Sequence, residues 1–550
     1  MDLQRLFLFL VFTFSLLIVW DNWQRYKHPD VAPQQVNIEA ADATRGMKEQ
    51  VSPSSATSIA PLSGLNKQVN ESSKIHVKTD LFDIEICTNG GDICKLSLLK
   101  HPDALDKSKP LVLFQGGENS HNYISQSGLI GSGLPNHNSE YTSVYDHYDL
   151  AEGAEKLEIR LSPKTLSSLS VAKVITFRRN SYLINVSYEL ENNGTKSVTA
   201  SDYYQLIRDA AAPEGSIRFL PTFTGVAVYT DKDKFQKIQF SDIEKNKVKY
   251  PTHANDGWIG ILQHYFVSAW IPEENTNREY FTRKLDGGLY SAGVVLPEHV
   301  IIPGQKIVTG VNLYAGPTEA NLNSVAPGLG LTVDYGWLTI IATPLFWTMS
   351  LFYKWTQNWG LAIILLTVLI KLIFFPLSAA SYRSMAKMRV VAPKLEKIKK
   401  QYADDREQLN RAMMDLYKTE KINPLGGCLP VLIQIPVFIA LYWAILSSVE
   451  LRYAPFFGWI TNLSAADPYY ILPIIMGASM IIQMRLNPKP PDPLQAKIMQ
   501  TMPIVFSVMF FFFPAGLVLY SIVNNILSII QQWYITRHSG ISSKGVTSGQ

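Results

Sequence analysis

The pattern of apolar and polar positions changes character several times along the chain. Residues 6–20, LFLFLVFTFSLLIVW, form an almost unbroken apolar block. Residues 28–73 are rich in Pro, Ala, Ser, Gln and Asn without apolar period, which predicts a disordered linker. From Ile75 the chain turns to short alternating or β-branched runs separated by turn residues. Examples are LFDIEICTNGGDICKLSLL at 81–99, AKVITFRRNSYLINVSYELENNG at 172–194 and IGILQHYFVSAWIP at 259–272. That spacing predicts an antiparallel β-sandwich domain over 74–320, ending near Thr318.

Long apolar runs then dominate residues 335–535. The stretch 335–356, YGWLTIIATPLFWTMSLFYKWT, mixes apolar residues with large aromatics and a proline, and predicts an amphipathic helix lying in a membrane interface. Five runs predict spans at 357–378, 428–446, 469–483, 498–513 and 517–534. The N-terminal block makes a sixth, an uncleaved transmembrane anchor over 1–27, because Trp20-Asp-Asn-Trp follows where a cleaved signal wants small residues. The chain thus reads as a polytopic α-helical membrane protein with a large extracytoplasmic β domain. A bilayer core takes about 20 apolar residues per helix. Several runs fall short of that, which local thinning of the bilayer accommodates.

Charge sets the orientation. Residues 378–422 carry eleven Lys and Arg, whereas 447–469 hold only Arg452. The positive-inside rule places 378–422, 484–497 and the tail 535–550 in the cytoplasm, with both termini, and the β domain outside. Within 379–422, Leu395, Ile398 and Tyr402 form one apolar stripe and Leu409, Met413 and Leu416 another, hinged near Asp404-Asp405, as in a helical hairpin.

Composition adds limits. The 550 residues carry a net charge of only +4, which gives no support to specific nucleic-acid binding. Three cysteines, Cys87, Cys94 and Cys428, show no metal-ligand spacing. If Gly90-Gly91 form a two-residue loop, Cys87 stands opposite Cys94, and a disulfide is geometrically conceivable. Two ordinary strand cysteines are the expectation.

The candidate chemistry centres on TVLIKLIFFPL, 367–377, where Lys371 stands in an apolar run. It lies about six residues, roughly 9 Å, from the cytoplasmic end of its span. Snorkelling of the ammonium to the headgroups is one explanation. Other polar side chains point to a second. Thr367 lies four residues before it on the same helix face, Gln434 lies at similar depth, and Tyr520, Ser521, Asn524 and Asn525 occur in the last run. With no Asp or Glu in any run, an unpaired cation should face a wet cavity open to the cytoplasm, suited to an anionic or polar guest. A groove for passing polypeptide and an anion transporter both remain open. A membrane-tethered periplasmic carbohydrate-binding protein is a further alternative, with His253, Asp256 and His264 in the β region. No phosphate-binding loop or H-E-x-x-H motif appears, and neither enzyme activity nor a cofactor is expected.

Several longer segments resemble the Gram-negative YidC membrane-protein insertases, kin to the Oxa and Alb insertases. They are SMAKMRVVAPK (384–394), INPLGGCLPVLIQIPVFIALYWAI (422–445), SVELRYAPF (448–456), DPYYILPIIMG (467–477) and FPAGLVLY (513–520), with KTDLFDIEICTNGGDI (78–93) in the β region. The resemblance implies a periplasmic β supersandwich and a five-helix insertase core around a hydrophilic groove in the bacterial inner membrane. It implies that Lys371 stands where the family usually has an arginine, keeping the charge but not the planar fork. Thr367, Gln434, Tyr520 and Asn524 would line the groove. Phe438 and Met509 would form an apolar slide for substrates, and the hairpin, with Lys394, Lys397, Met413 and Leu416, would meet incoming partners. Those partners would be nascent membrane proteins, the Sec translocon with its accessory subunits, the ribosome, signal-recognition targeting factors and the lipid bilayer.

Overall fold

The structure is a computed structural model that describes residues 73–538 except 105, 118–120, 165–168, 214–222, 320, 334, 336–337, 403–404, 421–428 and 487–492. The anchor expected over 1–27, nearly all of the linker and the tail beyond 538 lie outside the described residues.

Alternating sequence gives alternating burial. Lys74–Lys78 reads exposed, buried, exposed, and Leu183–Asn192 reads part-buried, buried along most of its length. Among the described residues these strands build one sheet of eleven and one of nine. Their facing sides close over one core, in which Ile84, Ile86 and Leu96 share a cluster with Ile175, Val186 and Leu190. The last strand, Lys306–Pro317, pairs centrally between Leu183–Asn192 and Phe266–Ile271. The described pairings are antiparallel save one, Lys74–Lys78 beside His147–Asp149.

The cysteines depart from the expectation. Cys87 and Cys94 are joined by a disulfide, with Cα atoms 5.9 Å apart. Nor are they opposed in register: Cys87 faces Asp92, and a bulge shifts the ladder after Glu85 pairs Lys95. Such a bulge adds one residue on its strand and re-aims a side chain. Here the extra residue is Cys94, which is why a simple two-residue loop misjudged the pairing. The same turn holds a buried cation: Lys173 donates to the Gly90 carbonyl at 3.0 Å, and its Nζ lies 3.5 Å from Asp92 Oδ1.

Among the described residues, eight α-helices make up the C-terminal half and carry the site. They are α1 (Thr339–Thr356), α2 (Trp359–Ile373), α3 (Phe375–Gln401), α4 (Arg406–Thr419), α5 (Leu429–Ser447), α6 (Ile471–Leu486), α7 (Pro493–Met509) and α8 (Ala515–His538). The run expected as one span over 357–378 is two helices, α2 and α3, bent by 66° at Phe374. Pro376 lies in the first turn of α3. It has no N–H to give the preceding turn and its ring crowds the carbonyl four residues back, so α2 ends there. The hairpin helix accordingly starts at Phe375, not at 379.

Caps fix other ends. The Asn358 side chain accepts from Leu361 N at 3.1 Å before α2, and the Asp467 carboxylate accepts from Leu472 N at 2.7 Å at the start of α6. Asp405 accepts from the N–H groups of Glu407 and Gln408 before α4. Helices α6 and α7 approach closely at Gly477, where a Cβ would stand 2.6 Å from Ser507 Oγ. Small residues permit such contact. Among the described residues α8 alone is long and apolar enough to cross a hydrocarbon core, or two spans if the α2–α3 pair is one.

Candidate functional site

Helix α8 packs on α2, α3 and α6, while α1 packs on α2 and α5. Their common core is apolar: Ala362, Ile363 and Leu366 meet Ala440, Leu441 and Ala444, and Leu517 and Val518. Against that background the polar side chains concentrate in one place. Gln434 Nε2 of α5 donates to Asn524 Oδ1 and, at 3.4 Å, to the Tyr520 hydroxyl of α8. Lys371, in the last turn of α2, donates from Nζ to Ser528 Oγ at 2.7 Å. Ser528 Oγ in turn donates to the Asn524 carbonyl at 2.7 Å. A polar chain therefore links α2, α8 and α5.

It borders a pocket lined by Ile370, Lys371, Phe374, Leu377 and Ser378 on one side and Ile433, Gln434 and Val437 on the other. The pocket lies at the bend, with the end of α2 and the first turn of α3 on one side and α5 on the other. Pro436 sits inside α5 beside Gln434 and removes one backbone hydrogen bond there.

The sequence-based candidates divide. Lys371 and Gln434 line the pocket, and Tyr520 and Asn524 bind Gln434 from behind. Thr367 is wholly buried and its hydroxyl donates to the Ile363 carbonyl at 2.7 Å, so it serves its own helix. Among the described residues the Lys371 ammonium meets a neutral hydroxyl and no carboxylate. Lys371 is only 7% exposed and has the Ser528 hydroxyl as partner. A buried cation without a hydrogen bond is costly, and α8 brings that hydroxyl within reach. Ser528 is the residue that sequence reading missed. Its signal was present, since it follows Asn524 by four positions and so shares its helix face.

The Phe438 ring lies 6.1 Å from Phe510 and 6.3 Å from Tyr520, next to the polar chain, whereas Met509 stands exposed at the end of α7. In the hairpin, Met413 and Leu416 pack on Val391 and Leu395 and so hold α3 to α4. Lys394 pairs with Glu420 at 2.7 Å, and Lys397 is exposed. In the β domain, His253, Asp256 and His264 form no shared site. Asp256 accepts from Asp231 N, His253 lies on an edge strand, and the His264 ring lies tilted against Tyr265. Burial and the nearby Arg452 hold the His264 imidazole down at about 4. Among the described residues no group of His, Cys, Asp and Glu could hold a metal ion.

The β domain and the helices touch through the loop after α5. The Arg452 guanidinium lies 5.5 Å from the Tyr265 ring and 5.8 Å from that of Phe266, and the Tyr453 hydroxyl donates to the Asp103 carbonyl at 2.8 Å.

Comparison with known proteins agrees with this two-part build. Residues 74–348 match the family model described as YidC periplasmic domain, and residues 351–542 match 60Kd inner membrane protein. The membrane protein insertase YidC of Methylobacillus flagellatus is 54% identical over 98% of this chain and 97% of its own length. That of Nitrosospira multiformis is 51% identical over 98% and 97%. A solved active YidC insertase structure covers 84% of this chain and 92% of its own at 18% identity, with a TM-score of 0.41 too low to carry an argument. On the sequence matches, which run almost end to end, this chain belongs to the YidC family of membrane protein insertases.

Proposed function

We propose that this chain inserts proteins into the bacterial inner membrane, without enzymatic chemistry, by receiving the polar flank of an arriving helix in the pocket between α2 and α5. The observation that carries this is the placement of Lys371 and Gln434 on facing sides of one pocket in an otherwise apolar helical core. A guest helix gains free energy by burying its apolar side chains in lipid, and no energy-consuming site is required. The slow step is moving its polar flank through hydrocarbon. A polar half-path shortens that step, and a fixed cation draws acidic flanks into it. At about 4 Å such attraction is worth about 4 kcal/mol in a surface-like dielectric. The guest then leaves sideways into lipid, past Phe438 and Met509.

The charge asymmetry of the loops supports six spans, with the anchor over 1–27 as the first, both termini and the hairpin in the cytoplasm, and the β domain in the periplasm. Helices shorter than a full span, α6 and α7 among them, fit a locally thinned bilayer. The exposed basic face of the hairpin suits contact with the ribosome or targeting factors, and the periplasmic domain suits contact with the Sec translocon and its accessory subunits.

Photo-crosslinking tests the path. A photoreactive residue at 434 or 438 should capture a nascent single-span membrane protein, and one at Val300, exposed on the β domain, should not. Equal capture from all three would contradict the assignment.

A further inference from the structure

We propose that Ser528 is the positioning residue for the Lys371 ammonium, holding it by one neutral hydrogen bond so that its other N–H donors stay available to a guest carboxylate. The inference rests on the insertion function proposed above and assigns its charge selectivity to a pair of residues on two helices.

The geometry is specific. Asn524 and Ser528 lie four positions apart on α8 and so stand one above the other. The first receives the amide of Gln434 from α5, and the second receives the ammonium of Lys371 from α2 at 2.7 Å. One turn of α8 therefore fixes both donors of the pocket wall. The Ser528 hydroxyl proton is committed to the Asn524 carbonyl at 2.7 Å, which leaves its oxygen as acceptor, the role a cation needs. Ser528 is 2% exposed and Lys371 7%, so the hydroxyl has little water to compete with.

A lysine ammonium has three N–H donors. Among the described residues Ser528 is the one hydrogen-bond partner of Lys371. Lys371 also lines the pocket that Gln434 borders from the opposite side. The neutrality of Ser528 matters. A carboxylate at this position would pair with the ammonium and cancel its attraction, whereas a methyl group would leave the flexible lysine stem unheld. Helices α2, α5 and α8 contain no Asp or Glu. Ser528 thus orients the cation without neutralising it.

The test uses the full chain in lipid vesicles and two single-span guests that differ only in the translocated flank, one with two Asp residues and one with two Asn. The readout is the ratio of their initial insertion rates. This ratio is internal to each variant, so a loss of folded protein cancels. Ser528→Ala should lower the ratio about tenfold, the size of one hydrogen bond to a charged group. Ser528→Thr should keep it, and Ser528→Asp should bring it to about one, as Lys371→Gln does. An unchanged ratio in Ser528→Ala, or an equal loss in Ser528→Thr, overturns the positioning role. If Lys371→Gln removes the preference and Ser528→Ala does not, this inference alone falls. If Lys371→Gln itself leaves the ratio at its wild-type value, the pocket function falls with it.

Discussion

Glu450 follows α5 by three residues, in the one-turn helix Val449–Leu451, and shows what a single side chain contributes at the junction of the two domains. Burial, with the Glu319 carboxylate nearby, pushes its carboxyl up to about 7, and Tyr335 is the other titratable group that faces it. Glu319 is raised by burial as well. An acid whose folded value lies above its unfolded value binds more protons when folded. Stability is then fully present below the unfolded value of about 4.3 and is lost as pH rises towards 7. Glu450→Gln should therefore flatten the decline in thermal midpoint between about pH 5 and 7 in detergent micelles and raise the midpoint at pH 8. An unchanged pH profile would contradict the burial of that carboxyl. At this scale the sequence was informative where a polar residue broke an apolar run. Lys371 and Gln434 stood out for that reason. Ser528 did not, because a small hydroxyl barely interrupts an apolar run and only its four-residue spacing from Asn524 marks it. Glu450 lay in a loop, where a carboxylate raises no question until burial is known.

Elements were legible by period and blurred by local backbone events. The apolar runs located helices, but no hydropathy pattern distinguishes one long helix from two joined at 66°. The proline at 376 carried that information, and the bend lies at the pocket, which Phe374, Leu377 and Ser378 line. The β hairpin at Gly90-Gly91 was read as a simple loop, and the bulge that brings Cys94 to Cys87 was overlooked, although it shifts the alternation so that Ile93 and Leu96, three residues apart, both enter the core. The disulfide has a direct check. The denatured chain should take one alkylating label without reductant, on Cys428, and three after reduction. Three labels in both conditions would contradict the bridge. Loop closure over a separation of 7 residues stabilises by about 2 kcal/mol, so Cys87→Ser with Cys94→Ser should lower the thermal midpoint of the chain. A periplasmic location supplies the oxidising surroundings the bond needs.

In the whole molecule, one sequence builds a two-sheet domain that faces its side chains inward and a helical half that exposes Ile474, Ile482, Val505 and Ile530 to its surroundings. The division between the halves was plain in composition, whereas the contact of Arg452 with Tyr265 and Phe266 was not, since it joins residues nearly two hundred positions apart. That contact holds the β domain at one end of the helices. The pocket lies between α2 and α5, and the proposed capture of a guest therefore belongs to the helical half. If a fixed cation in that pocket attracts the guest's flank, exchanging its charge should reverse the preference. Insertion rates would be measured in vesicles for Lys371→Glu with guests bearing two Asp or two Lys in the translocated flank. The account predicts at least about a tenfold loss for the acidic guest, which corresponds to about 1.4 kcal/mol, and recovery with the basic one. Insertion of the acidic guest by Lys371→Glu at the wild-type rate would contradict it.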